Sequence, residues 1–234
     1  MYHPVDVCYN PMVALHLYDT HAVDRVRQCA SSPCALCHAT LFLTTPMPLT
    51  RIKSQLMSAP EIDRTLVRLA HEILEKNSDL DRLAFIGIRR RGVPLAHRLA
   101  QKIEALEKRA IPVGILDINL YRDDLTTVDV KPVVSGTEIA FSVQGKDIIL
   151  MDDVLYTGRT IRAALDALFD HGRPARVHLL VLIDRGHREL PIEAQFVGRN
   201  VQTTDDEIIE VKFQEIDQLE KVLMVERVPA SEAV

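Results

Sequence analysis

The most chemically loaded stretch of the chain runs through Ile148, Ile149, Leu150 and Met151 to Asp152 and Asp153, then Val154, Leu155, Tyr156, Thr157, Gly158, Arg159 and Thr160. An unbroken apolar run of this kind is a strand buried on both faces, and here it delivers two adjacent carboxylates to its end. The apolar-periodic segment over 161–169 is a helix, so Thr157, Gly158 and Thr160 form the turn that opens it. A helix N-terminus offers unpaired N–H groups and the positive end of a dipole, glycine lets a ligand approach the backbone, and hydroxyls add donors. Such a turn is a phosphate cradle. Carboxylates repel phosphate, and beside the cradle they suit ribose hydroxyls or a Mg2+ ion bridging to a diphosphate. A phosphate and a ribose on neighbouring residues describe a phosphorylated sugar.

The elements that must position this stretch are legible from periodicity. Ser58 and Glu61 have capping-box spacing, and Ile62, Leu66, Leu69, Ala70, Ile73 and Leu74 predict a helix over 60–77. The apolar run 83–88 reads as a buried strand closed by Arg89, Arg90, Arg91 and Gly92. Val93, Ala96, Leu99, Ala100, Ile103 and Leu106 mark a second helix, and 113–121 a further strand. Residues 122–137 are a polar stretch read as a mobile loop. A strand over 147–151, a helix over 160–170 stopped at Gly172 and a strand over 177–183 follow. Helices alternating with continuously apolar strands imply an α/β fold with a mostly parallel central sheet, whose ligands sit at the carboxyl ends of the strands.

Composition separates a beginning from a body. Residues 1–56 contain no Glu, whereas all 14 Glu lie in the remaining 178 residues. This places an N-terminal extension over 1–56, loosely ordered or upstream of a truer start at Met47 or Met57, and one domain over 57–234. All four cysteines, Cys8, Cys29, Cys34 and Cys37, fall in the extension, so the body uses no disulfide. Cys34, Cys37 and His38 match a haem-attachment pattern and, with Cys29, a zinc donor set, but no export signal or surrounding fold signal supports either. No apolar run is long enough to span a bilayer, and a cytoplasmic protein is expected. A net charge of −5 argues against a sequence-blind polyanion binder. Arg outnumbers Lys by 20 to 8, which favours forked phosphate contacts over diffuse charge.

The stretch from Asp147 to Thr160 resembles the 5-phosphoribosyl-1-diphosphate (PRPP) signature of type I phosphoribosyltransferases. Leu120, Tyr121, Arg122, Asp123, Asp124 and Leu125, together with Asp184, Arg185, Gly186, His187, Arg188, Glu189, Leu190, Pro191 and Ile192, extend the resemblance to the PyrR family of pyrimidine-operon regulators over about 58–228. It implies the type I phosphoribosyltransferase fold with a small hood over about 184–215. It also implies a uracil phosphoribosyltransferase that needs Mg2+ with PRPP, releases UMP, and attenuates pyrimidine messages by binding an mRNA leader. Asp152 and Asp153 would contact the ribose hydroxyls, with Mg2+ reaching them through PRPP. The stretch from Val154, Leu155 and Tyr156 through Thr157, Gly158, Arg159 and Thr160 would line the PRPP and UMP site, its last four residues holding the 5-phosphate. Arg90 and Arg91 would face the diphosphate, Arg91 as the principal contact. Arg122 and the loop after it would close over PRPP and exclude water. The stretch around Arg185, His187 and Arg188 would form the hood over the base, where uracil is read largely through backbone groups. A homodimer or higher homo-oligomer is implied as well.

RNA-binding members are expected to use the first helix and the segment after the hood, where this chain keeps Arg68, His71 and Arg199; His187 and Arg188 are further RNA-binding candidates. It departs at Val67, where Thr is expected, and at Glu193, where Arg is expected. An Arg-to-Glu exchange reverses charge beside a phosphate surface, and the acidic run Asp205, Asp206 and Glu207 adds repulsion. Two further readings stand beside the bifunctional one: a UMP-sensing RNA regulator with weak or no catalysis, or a catalyst that has lost RNA binding. A transferase for purines or orotate is disfavoured, because purine readers place an aromatic ring against the base and 184–191 offers none.

Overall fold

In the computed structural model, which describes residues 50–119, 121 and 136–228, the three apolar runs become neighbouring parallel strands. The elements in chain order are β1 (Thr50–Ser58), α1 (Ala59–Lys76), β2 (Leu83–Ile88), α2 (Gly92–Glu107), β3 (Val113–Leu116), β4 (Asp147–Leu155), α3 (Arg159–Phe169), β5 (Arg176–Asp184), β6 (Phe196–Asn200), β7 (Glu207–Lys212), α4 (Gln214–Asp217) and β8 (Lys221–Arg227). The main sheet is five-stranded in the order β3-β2-β4-β5-β6, with every pairing parallel.

Successive side chains of a strand point to opposite faces, and the central strands supply apolar residues to both. On one face Ile149 and Met151 of β4 pack with Leu66 and Ile73 of α1 and with Leu95, Leu99 and Ile103 of α2. On the other, Ile148 and Leu150 meet Ile161, Ala164 and Leu168 of α3. The α1 start behaves as expected: the Ser58 backbone N–H and hydroxyl donate to Glu61 Oε2 at 2.8 and 2.6 Å. Helix α2 begins almost on the sheet. A Cβ at Gly92 would lie 2.2 Å from the Met151 carbonyl oxygen, so only glycine allows this approach.

A second, antiparallel sheet has the order β1-β8-β7. It corrects two expectations. Residues 50–56, assigned to the extension, form most of β1, held to β8 by its ladder and by an ion pair of 3.0 Å between Arg51 and Glu226. Composition misled because β1 buries little beyond Met57, with Ile52 60% exposed, so no buried apolar run marks it as part of the domain. Residues 196–200, expected within the hood, are β6 of the main sheet, while β1, β7 and β8 make the small sheet. The strand expected over 113–121 stops at Leu116, and Ile115 then bridges to Glu138. Arg122, most of the polar loop and residues 1–49 lie outside the described residues.

Candidate active site

The carboxylate pair stands where the main sheet thins. Strand β2 pairs with β4 as far as Gly87 opposite Met151, whereas β5 stays paired through Leu155 opposite Asp184. Asp152 and Asp153 therefore lie inside an extended β4, just beyond β2, rather than after its end. Asp152 is buried, and its Oδ1 accepts the Asp153 N–H at 3.0 Å. Burial pushes the Asp153 carboxyl up, against a hydrogen bond from the Asp152 side and the nearby Arg91 guanidinium, which both pull it down. Two carboxylates so close, with one held above its ordinary range, are poised to meet a cation or a set of hydroxyls.

The turn into α3 has the cradle geometry. Gly158 is the N-cap with φ of 95°, a left-handed conformation that side chains rarely adopt. The Thr157 carbonyl accepts N–H bonds from Glu189 and Leu190 at 3.0 and 3.2 Å, and Arg159 Nε donates to Glu189 Oε2 at 2.7 Å. The segment after β5 thus buttresses the cradle. Val154 packs against the first core, and the Leu155 side chain is buried in the second. The Leu155 carbonyl accepts the Arg185 N–H at 3.1 Å.

The arginine turn between β2 and α2 is more engaged than its sequence implies. Arg89 Nη2 donates to the Gly136 carbonyl and to Glu138 at 3.2 and 3.4 Å, and the peptide joining Arg89 to Arg90 is cis. Arg91, the N-cap of α2, holds Asp217 of α4 with Nη2 to Oδ1 at 2.8 Å and Nε to Oδ2 at 3.4 Å. Burial raises the Asp217 carboxyl, but Arg91 and the Phe213 N–H outweigh it and hold the group below its usual range. Arg91 is therefore engaged within the fold, tying the start of α2 to α4. Arg90 is exposed beside a cleft of about 680 Å³ that includes Val93, His97 and Arg98.

The segment after β5 closes over Tyr156. Arg185 is 6% exposed, its guanidinium lies 3.9 Å above the Tyr156 ring, and Nε donates to Thr203 Oγ1 at 3.1 Å. Desolvation lowers its pKa. His187 meets the Tyr156 ring edge-on at 6.0 Å and its Nε2 lies 2.6 Å from the Thr203 carbonyl oxygen.

A phosphoribosyl transferase domain model matches residues 53–215. The bifunctional protein PyrR of Pelotomaculum thermopropionicum is 57% identical over 178 residues, covering 76% of this chain and 98% of that protein. The bifunctional protein PyrR of Thermus thermophilus is 56% identical over 177 residues, with the same coverages. The chain belongs to the PyrR family. Solved structures with the same fold include a hypoxanthine-guanine phosphoribosyltransferase from Bacillus anthracis, at TM-score 0.56 and 21% identity, covering 76% of this chain and 99% of that one. The hypoxanthine phosphoribosyltransferase of Trypanosoma cruzi gives TM-score 0.58 at 15% identity, covering 76% and 98%.

Within this PyrR chain the five residues expected to meet RNA are not alike. Arg188 is held on all sides, donating to the carbonyls of Ile192, Tyr156 and Gly186 at 2.9, 2.8 and 3.1 Å and to Asp184 Oδ2 at 2.5 Å. It acts as a clasp between the cradle and the segment after β5. Arg68 Nη2 donates to the carbonyls of Val197 and Gly198 at 2.9 and 2.7 Å, satisfying the edge strand β6, and Arg199 donates to the Leu56 carbonyl. Arg68 and Arg199 therefore share the α1/β6 face with exposed Val67 and His71. Of the acidic run, Glu207 is buried in an ion pair with Lys53, while Asp205 lies 3.5 Å from His187. The repulsion expected from Glu207 is thus largely absorbed. Sequence reading missed Lys53, Thr203, Thr204 and Asp217. One signal was available: Glu207, Ile209 and Val211 alternate on the buried face of β7, which leaves a carboxylate in a core position that requires a partner.

Proposed function

We propose that the protein is a uracil phosphoribosyltransferase that forms UMP and diphosphate from uracil and PRPP, and that it also binds pyrimidine-operon mRNA leaders in response to UMP. The observation that carries the catalytic reading is the junction of β4 and α3, where the buried Asp152 and the half-buried Asp153 stand near the end of a strand that leads into a helix N-terminus capped by a left-handed glycine. Uracil N1 attacks C1 of the ribose as the bond to diphosphate breaks, through a transition state with oxocarbenium character. Asp152 and Asp153 hold the ribose hydroxyls and stabilise the cationic sugar, and the backbone and hydroxyls of Thr157, Gly158 and Thr160 hold the 5-phosphate. Arg90, exposed at the same end of the sheet, and Arg91 face the diphosphate, with Arg122 closing over them. The adjacent carboxylates suit Mg2+, which binds proteins through one or two carboxylates plus substrate phosphates. When bound it neutralises charge on the departing diphosphate. Arg185, His187 and Tyr156 enclose the base.

The test is UMP formation by the purified protein from uracil, PRPP and Mg2+, with orotate, hypoxanthine and adenine in competition. Turnover of uracil alone is expected; turnover of another base, or of none despite PRPP binding, overturns the catalytic reading. One observation favours a second reading, a catalyst without RNA regulation: Glu193 is exposed, and Arg68 and Arg199 spend guanidinium donors on backbone carbonyls. Titrating a labelled leader transcript with and without UMP separates the two.

A further inference from the structure

Glu207 opens β7 with its carboxylate enclosed; the residue is 5% exposed. A carboxylate taken from water needs partners on both oxygens. Oε1 receives Lys53 Nζ from β1 at 2.5 Å, and Oε2 receives the Thr204 backbone N–H at 2.7 Å. The Glu207 N–H donates back to the Thr204 carbonyl at 3.3 Å, so the turn before β7 is closed from both sides. This turn carries the acceptors of the base-enclosing side chains. Thr203 Oγ1 and the Thr204 carbonyl take Arg185 Nε and Nη2 at 3.1 and 3.4 Å, and the Thr203 carbonyl meets His187.

We infer that Glu207, charge-matched by Lys53, is a positioning residue for base recognition: the buried pair fixes the turn at 203–204 and thereby sets Arg185 over Tyr156 and His187 at its edge. The inference rests on the uracil phosphoribosyltransferase reading and extends the base site to β1. Neither Lys53 nor Glu207 is placed against substrate; both act through Thr203 and Thr204. A residue that merely stabilised the fold would weaken every ligand alike. A positioning residue weakens those that carry the base.

The experiment is calorimetric titration of the full-length protein with UMP and, separately, with PRPP and Mg2+, for wild type, Glu207→Ala, Glu207→Gln and Lys53→Met. Glu207→Ala is expected to weaken UMP about tenfold and PRPP less than about twofold, the loss of one charge-assisted hydrogen bond and its turn. Glu207→Gln keeps an acceptor for the Thr204 N–H and should recover UMP to within about threefold of wild type. Lys53→Met, at a half-exposed side chain of β1, leaves the carboxylate unmatched and should weaken UMP selectively even if Glu207→Ala does not fold. Equal weakening of UMP and PRPP, or unchanged UMP affinity in both Glu207→Gln and Lys53→Met, overturns the inference while leaving the enzyme reading intact. Wild type that binds PRPP but not UMP overturns both.

Discussion

Each residue proposed to hold ribose or the 5-phosphate lies between Asp152 and Thr160, whereas the base-enclosing segment depends on a turn tied down by Lys53, 154 positions from Glu207. The cradle is built from a strand, a glycine and a helix start, all specified by adjacent residues, and the segment after β5 buttresses it. The base site needs two sheets brought together. A continuous site is robust to what happens elsewhere in the chain; an assembled one inherits every weakness of the contacts that assemble it.

The contrast breaks most sharply at the carboxylates. Asp153→Asn should lower kcat/KM for UMP formation about a thousandfold, as loss of one preorganised electrostatic group does, without lowering the melting temperature. Steady-state kinetics beside a thermal melt decides it, and a fall in melting temperature would show that Asp153 serves the fold. Next comes the close approach of α2 to β4. A methyl group at Gly92 would meet the Met151 carbonyl at 2.2 Å, so Gly92→Ala should destabilise the protein by about 2–3 kcal/mol in urea titration. No change there would mean that α2 and β4 approach each other less tightly than the site requires.

Arg188 joins the two regions, since it binds the Tyr156 carbonyl on one side and Asp184 on the other. Replacing it by Met should weaken both UMP and PRPP about tenfold, measured by calorimetry, because cradle and base site lose the same clasp. A loss confined to UMP would separate regions that the structure couples.

The smallest effect is a pH dependence of the small sheet. Lys53 and the Thr204 N–H hold the Glu207 carboxyl below its usual range, and Glu207 in turn raises Lys53. A depressed carboxyl contributes stability above its unfolded pKa and loses it as pH falls through the folded value; a raised lysine loses its contribution as pH rises through its own. Thermal stability should therefore be flat in this respect between about pH 5 and pH 10 and decline on either side. In Glu207→Gln the acid limb should be shallower, which melts across the acid range would show.

Much of this was readable before any coordinates. The acid pair, the glycine turn and the helix after it follow from residue types at fixed spacing, because a parallel strand, a tight turn and a helix start are local structures with local requirements. The capping box at Ser58 and the buried runs of β2, β4 and β5 were legible for the same reason. Strand β1 was not. It is largely exposed, its residues do not alternate, and its pairing with β8 joins Thr50 to Arg227 across most of the chain. Nor could the roles of the arginines be read, because a guanidinium looks the same in sequence whether it meets a ligand, as proposed for Arg90, or a carboxylate, as Arg91 meets Asp217.

The sequence by itself determined an α/β fold of the phosphoribosyltransferase kind, the location of the glycine turn proposed to hold phosphate and the identity of the paired carboxylates. Only the tertiary structure decided how far β4 runs past β2, which arginines are spent within the protein, and how Lys53 and Glu207 brace the turn beneath Arg185. The physical reason is the range of the interactions. Backbone conformation and helix dipoles are set by neighbours in the chain, whereas the pairing of a buried charge is set by whatever the fold brings within a few ångströms of it.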